Sequence, residues 1–572
     1  MQRPNLNEIL IKTGSDRWLH FQQPSEIVTA VAIDEVIPSL KKIEAAVERD
    51  RLFAAGFLAY EAAPAFDAAF QVHSPQAGVP LLWVGLYEKP VEFQPRECQP
   101  ENRAGTELTW PQWELSATES EYHDRIRQIR QLIAAGDTYQ VNYSVRMNST
   151  FDPSGIMPTN RPNDDPPKCP NELPWRFFAD FIMHQRAGYS AFLETDEFAV
   201  CSGSPELFFK LDGQAIHSKP MKGTRRRGTT LENDRQLREE LIGSEKDRAE
   251  NVMIVDMVRN DLGRIARRGS VRTPSLFDIE KYDTVWQMTS TVAAETDASI
   301  TDIFTAIFPC ASITGAPKIR AMEIIHELEP APRGLYTGSI GYIAPERHAT
   351  FNVAIRTAVF KKFASPDSNV GDSSPIADVA TSTLAAEYGI GSGIVWDSDA
   401  GLEYDECRVK AATLRQPRPP FEILESLLYE PDSGIFLPEL HLKRMRTSAE
   451  FFDYPFPETA IAAQLQAIVS DRAQKVRVLL NKNGEFTIEQ AEIAEEENRG
   501  VKVCVADDLP VDPGDPFLYH KTTNREVYAM RLRAHPDCDD VILINDRGEL
   551  TESTRANLVL EIGGVYYTPT VE

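Results

Sequence analysis

A chain of 572 residues is long enough for three or four domain-sized units, and 42% hydrophobic with 26% charged residues is an ordinary globular balance. A formal net charge of −26 leaves no field to draw phosphate to the surface, which excludes nucleic acid and an anionic membrane as general partners. The opening MQRPNLNEILIKTG has no apolar signal core, and no run approaches the ~18 apolar residues of a membrane span, so neither a secretion signal nor a membrane segment is expected. Cys98, Cys169, Cys201, Cys310, Cys407, Cys504 and Cys538 are scattered, with no CxxC and no His pairs at ligand spacing. That pattern points to a reducing cytoplasm and away from a disulfide framework or structural zinc.

Residues 1 to about 115 read as short strands and helices that end in polar, proline-bearing text. A helix is expected in ESEYHDRIRQIRQLIAAGD, where Ile126, Ile129, Leu132 and Ile133 fall at helical spacing and Gly136 stops it before an alternating strand, TYQVNYSVRM. FDPSGIMPTNRPNDDPPKCPNELP reads as an exposed insertion, and ASPDSNVGDSSP as a second one near 365–375. Between them lies SKPMKGTRRRG, Ser218 to Gly228, in which Lys222 follows a proline-ended strand and is crowded by Arg225, Arg226 and Arg227. On residue type alone it is either a solvated charge or a placed nucleophile.

Two acidic pairs come next. Asp247 and Glu250 are three apart on a helix that turns apolar at Val252, and Glu403 and Glu406 repeat that spacing with Lys410 one turn further on. Each pair is either a solvated helix face or half of an oxygen-only site for Mg²⁺, since no His or Cys stands near. Between the pairs, SITGAPKIRAMEII sets Thr314, Gly315 and Lys318 at a helix start, and EYGIGSGIVWDSD sets Gly389, Gly391 and Gly393 in a strand. Backbone N–H groups in such turns can hold a carboxylate, although tight packing explains strand glycines equally well. Neither segment is a phosphate loop or a dinucleotide fingerprint. The clearest boundary is LRQPRPP at 414–420, which divides a first domain, 1–415, from a second, 421–572, through a linker at 416–420.

In order, SGSPELFF, PMKGTRRRG, DRAENVMIVDMVRNDLGR, FPCASITGAPKIRAMEII, RGLYTGSIGY, FNVAIRT and GIGSGIVWDSDAGLEYDECRVKA resemble the chorismate-utilising enzymes over residues 115–415. The resemblance implies an α+β fold in which antiparallel sheets, with outer helices, enclose a Mg²⁺-dependent site. Within the family, hydroxylating members have a lysine base where GDTYQVNYS has Gln140, which cannot deprotonate water. Anthranilate synthases resemble PIAGT where this chain has PMKGT, so Lys222 points to the aminodeoxychorismate synthase branch. That likeness implies that Lys222 attacks C2 of chorismate, that Glu206 protonates the departing 4-hydroxyl, and that ammonia then adds at C4. It also puts Gln140, Gln287 and Thr314 in the catalytic set; Glu250, Glu403, Glu406 and Asp247 around Mg²⁺; and Tyr336, Arg356, Gly391, Gly393 and Lys410 around the substrate. Gln287, in WQMTS, stands where many members have a histidine, so an amide is expected to meet the departing hydroxyl. No glutaminase is visible, which implies that ammonia comes from a separate amidotransferase subunit or from solution. The alternatives are an anthranilate synthase component and a non-catalytic subunit that only binds the amidotransferase. An LLES-type tryptophan pocket motif is missing from the N-terminal third, so no allosteric site is expected.

After the linker, FEILESLLYEPDSGIFLPELHLKRMRTSAEFF, YHKTTNREVYAM and LTESTRANLVLE resemble the fold-type IV enzymes that use pyridoxal phosphate (PLP). The resemblance implies that Lys521 is the PLP lysine, Arg444 the phosphate arginine, Glu552 the partner of the pyridinium nitrogen and Asn557 the usual asparagine beside it. Joined to the first domain, the expected member is a lyase that releases pyruvate to give 4-aminobenzoate for folate synthesis; D-amino-acid and branched-chain transaminases share the motifs. Where this sequence reads GGVYYTPTVE, relatives continue into a glycine turn that cradles the phosphate. The expectation is therefore an incomplete PLP domain with weak cofactor binding.

Overall fold

The computed structural model describes residues 3–14, 17–93, 113–151, 173–179, 187–362, 384–412, 421–493 and 500–570. Residues 152–172 of the first expected insertion, all of the second, the 416–420 linker, Cys98 and Cys169 lie outside these residues, while Leu173 and Pro174 at the end of the first open a short buried helix, Leu173–Phe177. The chain divides into two compact units, one formed by Met1–Thr224 with Leu241–Arg418 and the other by Arg225–Glu240 with Pro419–Glu572. No described helix is long and apolar enough to cross a membrane.

The first unit is built on two open antiparallel sheets. One runs from Gly315–Ala316 through Gln140–Phe151, Leu384–Ile394, Thr357–Lys362, Phe198–Ser204 and Tyr189–Glu194 to Ile9–Lys12, Trp18–Phe21 and Val91–Phe93. The other runs from Met221–Arg226 through Val285–Glu295, Ala215–Lys219, Leu207–Asp212, His348–Asn352, Ser339–Ala344 and Phe53–Leu58 to Leu82–Tyr87 and Glu26–Ala30. Ile9, Ile11, Phe198 and Val200 of the first sheet pack with Phe57, Trp83 and Ile340 of the second, so the inner faces share one core. Helices cover both outer faces. Helix Glu119–Ala134 buries Tyr122, Ile126 and Ile129, while Leu132 and Ile133 are only partly covered. Thr118 caps it, its hydroxyl accepting the Glu121 N–H while the Glu121 carboxylate reaches back to the Thr118 N–H. Each buried isoleucine contributes ~1.5–3 kcal/mol relative to exposure.

A buried ion pair secures one edge of the Gln140 strand beyond the point where Gly315–Ala316 stops pairing with it. Arg333, only 2% exposed, donates to both oxygens of Glu329 at 3.0 and 2.6 Å and to the carbonyls of Ile313 (2.8 Å) and Asn142 (2.6 Å). Glu329 in turn accepts the Ser144 N–H at 2.9 Å. Glu61, whose carboxyl burial pushes up to about 7, accepts the N–H groups of Arg333 and Gly334. Arg333→Met keeps the volume but strips Glu329 of its partner; the expected cost is ~3–5 kcal/mol. Thermal unfolding checks this, and a midpoint within a degree of wild type would refute it.

The second unit holds a four-stranded, a three-stranded and a two-stranded sheet among its described residues. Its core gathers Ile423 and Leu427, Met445 and Ala449, Ile461 and Leu465, and Val476 and Val478. Val503–Val511 and Asp540–Asn545 pair in parallel.

Candidate active site

Gln140, Asn142 and Ser144 alternate along one strand, so they share a face of the sheet. Along the neighbouring strand, Gly391 pairs with Ser144 and Gly393 with Asn142. The glycines keep that face open. A Cβ on Gly393 would lie 2.5 Å from Gln140 Nε2 and 3.2 Å from Lys222 Nζ. One on Gly391 would lie 2.7 Å from Ser144 Oγ and 3.1 Å from Tyr336 Oη, and one on Gly389 would strike the Tyr336 ring. Beside this clearing, Gln140 Nε2 and Oε1 are buried with no hydrogen-bond partner among the described residues, as is Glu206 Oε1, whose carboxyl feels the Lys222 charge. Natural proteins rarely leave such atoms orphaned, and the unmet Gln140 amide at a glycine-lined space marks a place for a polar ligand.

Lys222 and Glu206 are tuned in opposite directions. Withdrawal from water lowers the Lys222 pKa, and Lys410 pushes the same way, while Glu250, Glu206 and Glu406 pull it back. Burial raises the Glu206 carboxyl to about 7, against the Ser312 hydroxyl, the Lys222 amine and the Met221 N–H. A lowered lysine and a raised carboxyl that feel each other's charge are the shifts a nucleophile and an acid require.

Both acidic pairs enter the same electrostatic neighbourhood. Burial raises Glu250, with Asp247 and Glu403 adding to the effect, and burial and Glu406 raise Glu403, whose Oε1 accepts from Ser398 at 2.8 Å. Lys410 holds Glu406 below its usual range and bonds it at 2.6 Å, while the same ammonium donates to the Gly391 carbonyl at 2.8 Å. Among the described residues no three acidic, His or Cys side chains form a ready-made metal cluster. In kind the set fits a hard divalent cation: the donors are all oxygen, and Glu250 and Glu403 repel each other in a site withdrawn from water.

The remaining expected residues are placed differently. Thr314 is buried, its hydroxyl donating to the Cys310 and Ala311 carbonyls and its own carbonyl accepting the Asn142 N–H. Arg356 lies 5.8 Å from the centre of the Tyr282 ring, and its carbonyl accepts the Gly203 N–H on the strand leading to Glu206. Gln287 turns its amide to the backbone beside Lys222, donating to the Gly223 carbonyl at 2.8 Å and accepting from Thr224 Oγ1 at 2.9 Å. Sequence reading passed over Ser144, Asn251, Ser312 and Arg333. Period-two spacing from Gln140 could have found Ser144; the others depend on long-range packing.

In the second unit Lys521 is lowered by burial and then by Arg444, with Glu425 opposing. Arg444 forks onto Glu425 at 2.7 Å through both nitrogens. Burial raises Glu552, Lys521 opposes that shift, and the carboxylate accepts from Tyr528 Oη at 2.8 Å. Asn557 is exposed. A lysine with a lowered pKa near Arg444 and Arg525, and within the influence of Glu552, fits an aldehyde cofactor that carries a phosphate.

The family model for chorismate binding enzymes matches residues 7–416, and that for class IV amino-transferases matches residues 422–572. Aminodeoxychorismate synthase component 1 of Bacillus subtilis is 43% identical over 42% of this chain and 47% of its own length. Anthranilate synthase component 1 of Aquifex aeolicus is 37% identical over 44% of this chain and 47% of its own length. The chain thus spans about half the length of these curated relatives. The crystal structure of anthranilate synthase component I from Streptococcus pneumoniae matches with a TM-score of 0.55 at 21% identity, over 73% of this chain and 94% of that one, a likeness of fold.

Proposed function

The chain belongs to the chorismate binding enzymes, and on that premise we propose that its first unit aminates chorismate at C4 through a covalent adduct on Lys222. The observation that carries this reading is the Lys222 amine held over Gly393, next to Gln140 and within the influence of Glu206. The neutral amine attacks C2, both ring double bonds shift by one position toward C4, and the 4-hydroxyl leaves as water with the Glu206 proton. Ammonia then adds at C4, both double bonds shift back, and the C–N bond to Lys222 breaks as the amine leaves C2, giving 4-amino-4-deoxychorismate. Gln140 offers otherwise unmet hydrogen bonds to the substrate's polar groups. Asp247, Glu250, Glu403 and Glu406 would hold Mg²⁺, which supplies positive charge for a substrate carboxylate.

The second unit's class IV match implies PLP, with Lys521, Arg444, Glu552 and Asn557 as the residues that would hold it. When bound, PLP serves as an electron sink. We read this unit as a lyase acting on the first unit's product, releasing pyruvate and 4-aminobenzoate for folate synthesis. A separate glutamine amidotransferase would supply the ammonia. The free thiols of Cys201, Cys310, Cys407, Cys504 and Cys538 support a cytoplasmic setting.

Incubation with chorismate, Mg²⁺ and ammonium, followed by chromatography, tests the first reaction. The expected product is 4-amino-4-deoxychorismate. Anthranilate fluorescence without it would assign the chain to the anthranilate branch, and no turnover by folded protein would favour a subunit that only binds the amidotransferase.

A further inference from the structure

We propose that Gln287 is a positioning residue for Lys222, its amide clamping the Gly223–Thr224 backbone so that the amine is aimed across the Gly393 clearing. The inference rests on the reading of Lys222 as the nucleophile. Gln287 is almost fully buried on the strand Val285–Glu295. It spends its acceptor and one donor on two consecutive residues: Nε2 donates to the Gly223 carbonyl and Oε1 accepts from the Thr224 hydroxyl. On the other side of the nucleophile, Asn251 donates to the Lys222 carbonyl at 3.2 Å and accepts from Ser290. Side chains from a strand and a helix therefore pin three successive residues.

The backbone needs such a clamp at this point. Gly223 has φ +92, where a side chain is strained, and a Cβ there would approach Asp247 Cβ at 3.0 Å and Met288 Cβ at 3.2 Å. The strand thus departs from extended geometry immediately after Lys222, where ladder hydrogen bonds alone hold a chain least well. A lysine amine reaches its target through four flexible methylenes, so the position of its Cα sets how often the amine meets the reacting carbon. With its oxygen committed to Thr224 and one N–H to Gly223, the amide acts on the backbone of the nucleophile.

The test compares wild type with Gln287→Leu, Thr224→Val and the double variant, each checked for folding by circular dichroism. Rapid quenching with chorismate in the absence of ammonia, followed by peptide mass mapping, reads the rate of adduct formation at Lys222; steady-state assays with ammonium give kcat and KM. Gln287→Leu is expected to slow adduct formation and kcat together by about 10²-fold, the scale of a small misplacement of a reacting group. The chorismate KM should stay within about twofold, as expected where binding is untouched. The alkaline limb of the pH profile, which depends on Glu206, should not move. Thr224→Val should act in the same direction, and the two changes should be non-additive because they break one arrangement. If Gln287→Leu misfolds, Thr224→Val carries the same readouts. Wild-type adduct formation in either variant, or additive effects, would overturn the clamp and leave the nucleophile standing. No adduct on wild-type Lys222 would overturn both.

Discussion

Lys222→Ala is expected to abolish the covalent adduct and to lower 4-amination by roughly 10⁴–10⁶-fold, the scale on which an enzyme loses rate with its nucleophile. An ordinary lysine amine, with a pKa near ~10.4, is almost wholly protonated at neutral pH and does not attack carbon. Here burial depresses the Lys222 pKa and the Lys410 ammonium reinforces it, while Glu250, Glu206 and Glu406 limit the fall. Below its folded pKa the amine becomes an ammonium, so the rate must fall with decreasing pH through that value. Alanine leaves room for ammonia to reach C2 unaided, so product analysis is as informative as rate. Mass mapping after a chorismate quench and chromatography of the products check the prediction. Near-normal 4-amination by the alanine variant would make Lys222 a bystander.

The parts of this arrangement that follow from local rules could be read from the residues. Ile126 and Ile129 at helical spacing become the buried stripe of the Glu119–Ala134 helix, and Gly136 lies just past its end. Asp247 with Glu250, and Glu403 with Glu406, do share helix faces, because three residues make nearly a full turn. Spacing could not tell that helices so far apart in sequence bring their carboxylates within each other's influence. That convergence depends on the register that sets Gly393 opposite Asn142, a pairing made across some 250 residues of chain. Arg333 was silent for the same reason: a buried cation is defined by Glu329, Ile313 and Asn142, and only the first of these is a near neighbour in sequence. Gln287 shows the limit of matching residues by position. Its amide was expected at the leaving group; the structure adds bonds to the Gly223 carbonyl and the Thr224 hydroxyl that its position in the sequence did not announce.

Glu206→Gln is expected to reduce turnover by ~10²–10⁴-fold, the usual loss on removing a general acid, and to change the shape of the pH profile. The 4-hydroxyl is a poor leaving group unless it departs as water, so the proton must be at hand when the C–O bond breaks. A normal glutamic acid, with a pKa near ~4.3, would have lost that proton long before neutral pH. Burial raises Glu206 to about 7 although Ser312, Lys222 and the Met221 N–H pull the other way, and its Oε1 has no hydrogen-bond partner among the described residues. The pairing that the proposed mechanism needs is a protonated Glu206 with an unprotonated Lys222, and the raised carboxyl and lowered amine shift toward it. As pH rises the carboxyl loses its proton and the rate falls; as pH falls the amine gains one and the rate falls again. Glutamine keeps the shape of the side chain and its hydrogen-bonding capacity but has no proton to give. The alkaline limb of kcat/KM should disappear in this variant while the acid limb, which belongs to Lys222, remains. Adduct formation should slow in step with turnover, since Glu206 acts when the hydroxyl leaves. An alkaline limb that persists unchanged in Glu206→Gln would assign the proton to another group and leave Glu206 as a buried structural acid.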